Sequence, residues 1–188
     1  EGRSRIADAA PDAERVDLAA WEVEKILDLD PSNLQARIDA LGLAVYRRRI
    51  PEAAAEAECI LNDPRLLEFA RNSPDGLLSL QYSSALLAKI RAFGPALRLA
   101  EKALALSVET NTHQGRAFYN LALIEAGAAV YNPKWIPWAA EHLDLAVEAN
   151  RLFEGWFEED EVFNPTRIQI QAIRDARRPR PVSPLDGL

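Results

Sequence analysis

The chain has 188 residues, of which 48% are hydrophobic, and a formal net charge of -7 at pH 7. That apolar share excludes wholesale disorder, and the acidity speaks against a nucleic-acid binder, which presents a basic face. The single cysteine, Cys59, excludes an internal disulfide and falls in an apolar helical pattern, where a buried, inert thiol is expected.

The sequence holds no Met and opens at Glu1, so it reads as a processed chain or a piece of a longer protein. Its longest apolar run, Leu121 to Val130, is broken by Glu125 and falls short of the roughly 20 residues a membrane helix needs, so no membrane insertion by this segment is expected. The absence of disulfides fits both the cytoplasm and the periplasm. Ala and Leu dominate while β-branched residues are scattered, which favours helix over strand.

In chain order, residues 1–11 form a polar lead-in. A helix is predicted from Asp12 to Leu29, with Leu18, Trp21, Val23, Ile26 and Leu27 on or near one face. Asp30-Pro31-Ser32-Asn33 ends it and caps a helix from Leu34 to Arg48. Arg47, Arg48 and Arg49 then oppose the negative end of the helix dipole or hold an anion. Ile50-Pro51 starts a helix to Asn62, Asp63-Pro64 a short one to Arg71, and Ser73-Pro74 a longer one from Asp75 to Ala92. Gly94 offers a left-handed helix end, and Pro95 opens a helix to Ser107. A polar stretch from Glu109 to His113 precedes a helix to Val130. Tyr131 to Ile136 reads as a loop or a distorted helix start, and Pro137 opens a helix to Phe153. An aromatic and acidic connector, Glu154 to Phe163, leads to a helix from Asn164-Pro165 to Arg177, with Ile168, Ile170 and Ile173 for docking. Residues 178–188, with three prolines, are expected to be extended or disordered.

Small residues recur through these helices. Ala19, Val23 and Ile26 are followed by Ala53, Ala57 and Ile60, by Ala96, Ala100 and Ala103, and by Ala139, Leu143 and Ala146. The later copies are 43 residues apart (96 minus 53, 139 minus 96) and the first step is 34 (53 minus 19). Periodic helical patterns of this length signal stacked helix pairs.

With the Asp30-Pro31-Ser32-Asn33 junction, the Pro-x-Ala helix starts and Leu41-Gly42, this pattern resembles the tetratricopeptide repeat family. The likeness covers residues 12–153. It departs from the family at Val23, Ala57, Ala100 and Leu143, which stand where the family has an aromatic. The 43-residue steps also fall in the range of HEAT and armadillo repeats. The resemblance implies an all-α fold: a right-handed superhelical stack of antiparallel helix hairpins over residues 1–177, closed by a capping helix at 164–177. It further implies a non-enzymatic interaction scaffold whose groove takes a peptide, a partner helix or another copy of the chain.

The family register places Asp39, Leu43 and Tyr46 on the groove, then Gln81, Ala85 and Lys89, then Arg116, Tyr119 and Leu123 with Asn120 beside them. Such a mix of aromatic, hydrogen-bonding and charged groups suits peptide recognition, whereas packing between repeats is the competing role for Tyr46 and Tyr119. It does not match the two-lysine, two-asparagine clamp of some family members. Trp135 and Trp138 flank Pro137 as a candidate aromatic interface. Trp156 and Phe163 are expected to seal the end of the stack.

No catalytic constellation emerges. His113 and His142 have no metal-ligand spacing, the glycines form no phosphate loop, and Glu158-Glu159-Asp160-Glu161 lacks the pattern of a calcium loop. No cofactor and no metal are expected. Two other readings stay open: a docking or regulatory region of a larger secretion, envelope-assembly or polysaccharide-export protein, and a small-molecule or sugar-binding domain using Trp135, Tyr119 and Arg116.

Overall fold

The computed structural model describes residues 13–177. The expected lead-in, Asp12 and the tail at 178–188 lie outside the described residues. Within them the fold is all-α, with ten α-helices, two 3-10 turns and no strand.

The chain begins with α1 (Ala13–Leu29), α2 (Leu34–Tyr46) and α3 (Ile50–Leu61). The α1–α2 corner is built from local hydrogen bonds. Asp30 accepts from the Ser32 backbone N–H at 3.0 Å, and Asn33 accepts from the Ala36 N–H at 3.0 Å as the cap of α2. A short helix, α4 (Leu66–Asn72), precedes α5 (Pro74–Lys89), which Ser73 caps through Gly76. Then come α6 (Phe93–Thr110) and α7 (Gln114–Ala129). A 3-10 turn at Pro133–Trp135 leads into α8 (Ile136–Ala149), followed by α9 (Leu152–Glu159), a second 3-10 turn at Glu161–Phe163 and α10 (Arg167–Arg177).

Consecutive helices pack on each other through α1–α2–α3 and α5–α6–α7–α8. Helices α2, α5 and α7 also form a row of neighbours, and α3 lies against α6 behind them. The repeated small residues sit at these contacts. Ala53, Ala57, Ala96, Ala100, Ala103, Ala139 and Ala146 are all buried, which lets helix axes approach closely. The first copy behaves differently. Ala19 and Val23 are only half-buried and Ile26 is exposed, because α1 packs chiefly on α2 and its remaining faces are uncovered. Leu18, Trp21 and Leu29 are exposed as well.

The reversals after α2 and α5 share one geometry. Arg48 adopts φ 56° and Arg91 φ 64°, both left-handed. Arg48 N–H donates to Val45 O and Arg49 N–H to Ala44 O; Arg91 N–H donates to Ala88 O and Ala92 N–H to Leu87 O. This is the two-bond helix ending usually given to glycine, here made by arginine. Gly94, expected in that role, instead lies inside the first turn of α6. The arginine run has a further use, since Arg47 pairs with Asp17 at 2.5 Å and holds α1 on α2.

Four other expectations need correction. Cys59 is exposed, because it lies on the side of α3 opposite Ala53, Ala57 and Ile60. The helix from Pro137 stops at Ala149, and the expected connector is α9 with its following turn. Asn150 is extended, and its side chain accepts from the Leu152 N–H at 2.9 Å, which breaks one helix and starts the next. On α10, Ile170 is buried and Ile173 partly so, but Ile168 points to solvent at 85% exposure.

At this end Phe153, Phe157 and Phe163 are buried. Each fully buried phenyl ring contributes roughly 1.5–3 kcal/mol. Phe157 and Phe163 meet edge to face at 5.0 Å between ring centres. Arg174 of α10 is 1% exposed, bonds to Asp144 at 2.7 Å and Glu154 at 2.6 Å, and so ties α10 to α8 and α9.

Candidate functional site

The row of α2, α5 and α7, with α1 along its side, leaves an open cavity of about 790 Å³. Its lining is mainly apolar: Ala19, Val23 and Ile26 from α1, Ile38 and Leu43 from α2, and Leu86 from α5. Polar groups line it too, among them Glu22 on α1, Asp39 on α2 and Arg116 on α7. Asp39 and Arg116, on the first and last helices of the row, thus border one space, as does Tyr46. A few placed charges around an apolar hollow of this size is the usual make-up of a binding site.

A second cavity of about 440 Å³ adjoins it. Tyr82 and Arg116 line both, and Lys89, Tyr119, Asn120 and Trp156 belong to the smaller one. Arg116 stands in the first turn of α7, its guanidinium 4.7 Å from the centre of the Trp156 ring. Among the described residues it forms no ion pair.

Six of the seven groove residues expected from the sequence border one of these cavities, though not all are free to act. Tyr119 is buried; its ring stacks on Phe153 at 5.2 Å and meets Trp156 edge-on at 5.5 Å. Its hydroxyl donates to Asp160 Oδ2 at 3.3 Å. Burial, then the Asp160 charge and hydrogen bond, push its pKa far above the ordinary value, so it stays a neutral donor. Asn120 is also buried, and its Nδ2 donates to the Gln81 carbonyl at 3.1 Å.

Gln81 itself lines neither cavity. It is 1% exposed, and its Nε2 donates to Ser107 Oγ at 2.9 Å in the α5–α6 interface. The expectation placed it on the open face, but its side of α5 is the one that α6 covers. Trp135 and Trp138 lie outside both cavities. Trp138 is 54% exposed on α8 and stacks on His142 with ring centres 6.4 Å apart, while Trp135 is half-buried in the 3-10 turn. Trp156 and Phe163 do lie in the aromatic cluster at the α9 end, with Trp156 partly open to the smaller cavity.

The sequence reading missed Glu22, Ile26 and Tyr82 as lining residues. It also missed two buried ionic groups: Glu125 with His142, and Arg174 with Asp144 and Glu154. Glu125 carried a signal, since a carboxylate inside an apolar run needs a partner. Arg174, four residues beyond buried Ile170, carried another. Neither group borders the cavities described, and the described residues contain no cluster able to hold a metal ion. No helix among them is long and apolar enough to cross a membrane. No protein-family model, no curated protein and no solved structure matches this chain.

Proposed function

We propose that this chain is a non-enzymatic interaction scaffold of the tetratricopeptide repeat type, a right-handed stack of helix hairpins that holds a segment of another protein in the groove over α2, α5 and α7. The observation that carries this reading is the apolar hollow bordered both by Asp39 and Tyr46 of α2 and by Arg116 of α7. The buried alanines at the helix contacts support the repeat architecture, because they recur at equivalent places in successive pairs. Open apolar surface framed by charge suits a protein segment, which brings its own apolar side chains and counter-charges.

The test is recovery of a partner by the wild-type chain and by a Tyr46→Ala, Lys89→Ala, Arg116→Ala variant of equal thermal stability, with bound proteins identified by mass spectrometry. A protein held by the wild type and lost by the variant supports the groove. Unchanged recovery refutes it.

The smaller cavity supports a second reading, a small-molecule site, since Arg116, Tyr119 and Trp156 meet there within a volume suited to a metabolite. Trp135, the other residue expected in such a site, lies elsewhere. A ligand screen by thermal shift distinguishes this reading, because a metabolite that raises the melting point of the wild type and not of Arg116→Ala occupies this cavity.

A further inference from the structure

We propose that the groove seats an amphipathic α-helix of a partner protein, with a small residue over Gly42, acidic side chains along the flank that faces Arg116 and basic ones along the flank that faces Glu22 and Asp39. This deepens the scaffold reading above and rests on it.

The first observation is Gly42. It lies inside α2, where glycine costs about 1 kcal/mol relative to alanine. A Cβ built on it meets nothing within 4 Å, so no packing within the chain requires its absence. Gly94 and Gly155 are equally open, but neither borders this cavity, whereas Gly42 does. A missing side chain on a cavity wall allows another backbone to come close.

The shape of the walls selects a helix. Three helices each show the cavity side chains four residues apart: Ala19 and Val23 on α1, Asp39 and Leu43 on α2, Tyr82 and Leu86 on α5. Ridges at this spacing accept the matching ridges of another helix. An extended strand, with its alternation of two, would leave half its side chains without a groove.

Charge sets the flanks. Glu22 and Asp39 border the α1–α2 side, and Arg116 borders the α7 side with α5 between. Gln35 donates to Asp39 at 3.0 Å, and Asp39 is exposed. Arg116 rests on Trp156 without an ion pair among the described residues, so a carboxylate from outside meets a cation already positioned.

The probes are synthetic peptides of about 18 residues with one Ala/Leu stripe, read by fluorescence anisotropy at low salt. One peptide has Glu on one flank of the stripe and Lys on the other. Two controls have Glu on both flanks or Lys on both. A fourth is the mixed peptide with two interior prolines, which prevent a helix. The mixed helical peptide is expected to bind roughly fivefold tighter than either control. Binding is expected to fall about tenfold or more in Gly42→Leu, which adds a side chain where a Cβ meets nothing within 4 Å, and Arg116→Glu is expected to remove the preference over the all-Lys peptide. Arg116→Glu also serves where Gly42→Leu fails to fold. Equal binding of the proline peptide, still sensitive to Gly42→Leu, overturns the helix and leaves the groove. Equal binding of all three charge patterns overturns the flank assignment. Self-association of the chain that Gly42→Leu abolishes transfers the groove to a second copy and overturns a foreign partner. Absence of binding by every peptide at about 1 mM overturns this inference, while the partner recovery described above decides the scaffold reading separately.

Discussion

His142 Nδ1 lies 2.8 Å from Glu125 Oε2 and joins α8 to α7. The Glu125 side chain is 4% exposed and that of His142 19%. Phe118 stacks on the imidazole at 6.1 Å on the α7 side and Trp138 at 6.4 Å along α8. Glu141 of α8 and Glu101 of α6 add negative charge nearby. The pair is therefore a charged contact inside a mainly apolar interface, and it makes stability depend on pH.

Burial alone would lower the His142 pKa, but the hydrogen bond and charge of Glu125, with Glu141 and Glu101, outweigh it and hold the imidazolium above its ordinary 6.5. Burial raises the Glu125 carboxyl too, and His142 offsets that only in part. Both shifts act in one direction, because the folded chain binds each proton more tightly than the unfolded chain does. The His142 contribution is complete below 6.5 and is lost as pH rises through its folded value, and that of Glu125 is already falling as pH climbs past 4.5. Urea midpoints are expected to fall between about pH 6 and pH 8, and His142→Gln to flatten that slope. An unchanged slope in the variant assigns the dependence to other groups.

Arg174 predicts a dissection of the C-terminal contact. Arg174→Ala removes a buried side chain and takes its guanidinium from Asp144 and Glu154, so a loss of about 3–5 kcal/mol is expected from urea unfolding. The carboxylates keep partial access to water, at 31% and 35% exposure, which places the result toward the lower end. The guanidinium also covers the Phe157 ring at 5.4 Å. Arg174→Met, which retains most of that cover, is therefore expected to cost less than alanine. Equal losses would mean that the charges alone hold α10.

Two glycines respond in opposite ways. Gly42→Ala is expected to raise stability by up to about 1 kcal/mol, since the added methyl meets open space inside a helix. Gly115→Ala brings a Cβ to 2.9 Å from the Ala149 Cβ and 3.0 Å from the Phe153 ring, so α7 must move away from α8, at about 1–3 kcal/mol. Thermal denaturation of the two variants side by side checks both signs. A destabilised Gly42→Ala would show that α2 is more crowded than its surroundings indicate.

The polar contact below the groove yields a test of side-chain burial. Gln81 Oε1 is buried without a hydrogen-bond partner, while Ser107 Oγ also donates to Ala103 O at 2.7 Å. Gln81→Leu removes the orphaned oxygen and leaves Ser107 satisfied, so a change within about 1 kcal/mol is expected. Asn120→Ala removes a donor to the Gln81 carbonyl and leaves a small void, for which about 1–3 kcal/mol is expected. A larger loss from Gln81→Leu than from Asn120→Ala in urea unfolding rejects this ranking.

Helix identity and most boundaries were legible, because Pro and Asp/Asn/Ser punctuation is local chemistry that tertiary contacts leave in place. The stops at Asn33, Ser73 and Asn132 carry the side-chain caps that their residue types imply. The break at Asn150 was not legible, since the apolar pattern runs through it to Leu152 and Phe153. Nor was the left-handed turn at Arg91, where no glycine marks the reversal.

The groove residues were placed by register alone, which does not show the faces that neighbouring helices cover. Asp39, Tyr46 and Arg116 border the larger cavity. Gln81 does not, since one step around α5 separates the open face from α6. The ionic partners of Glu125 and Arg174 come from other helices, and nothing local to either residue could name them.

The matched reversals at Arg48 and Arg91 make those two corners interchangeable joints. Excising residues 49–91 would splice Arg48 directly to Ala92, with the same bend on both sides of the cut and α6 presented to α2 where α3 stood. A shortened chain that still folds would identify this segment as a removable cassette, and inserting a second such cassette at the same seam would lengthen the molecule without redesigning either end.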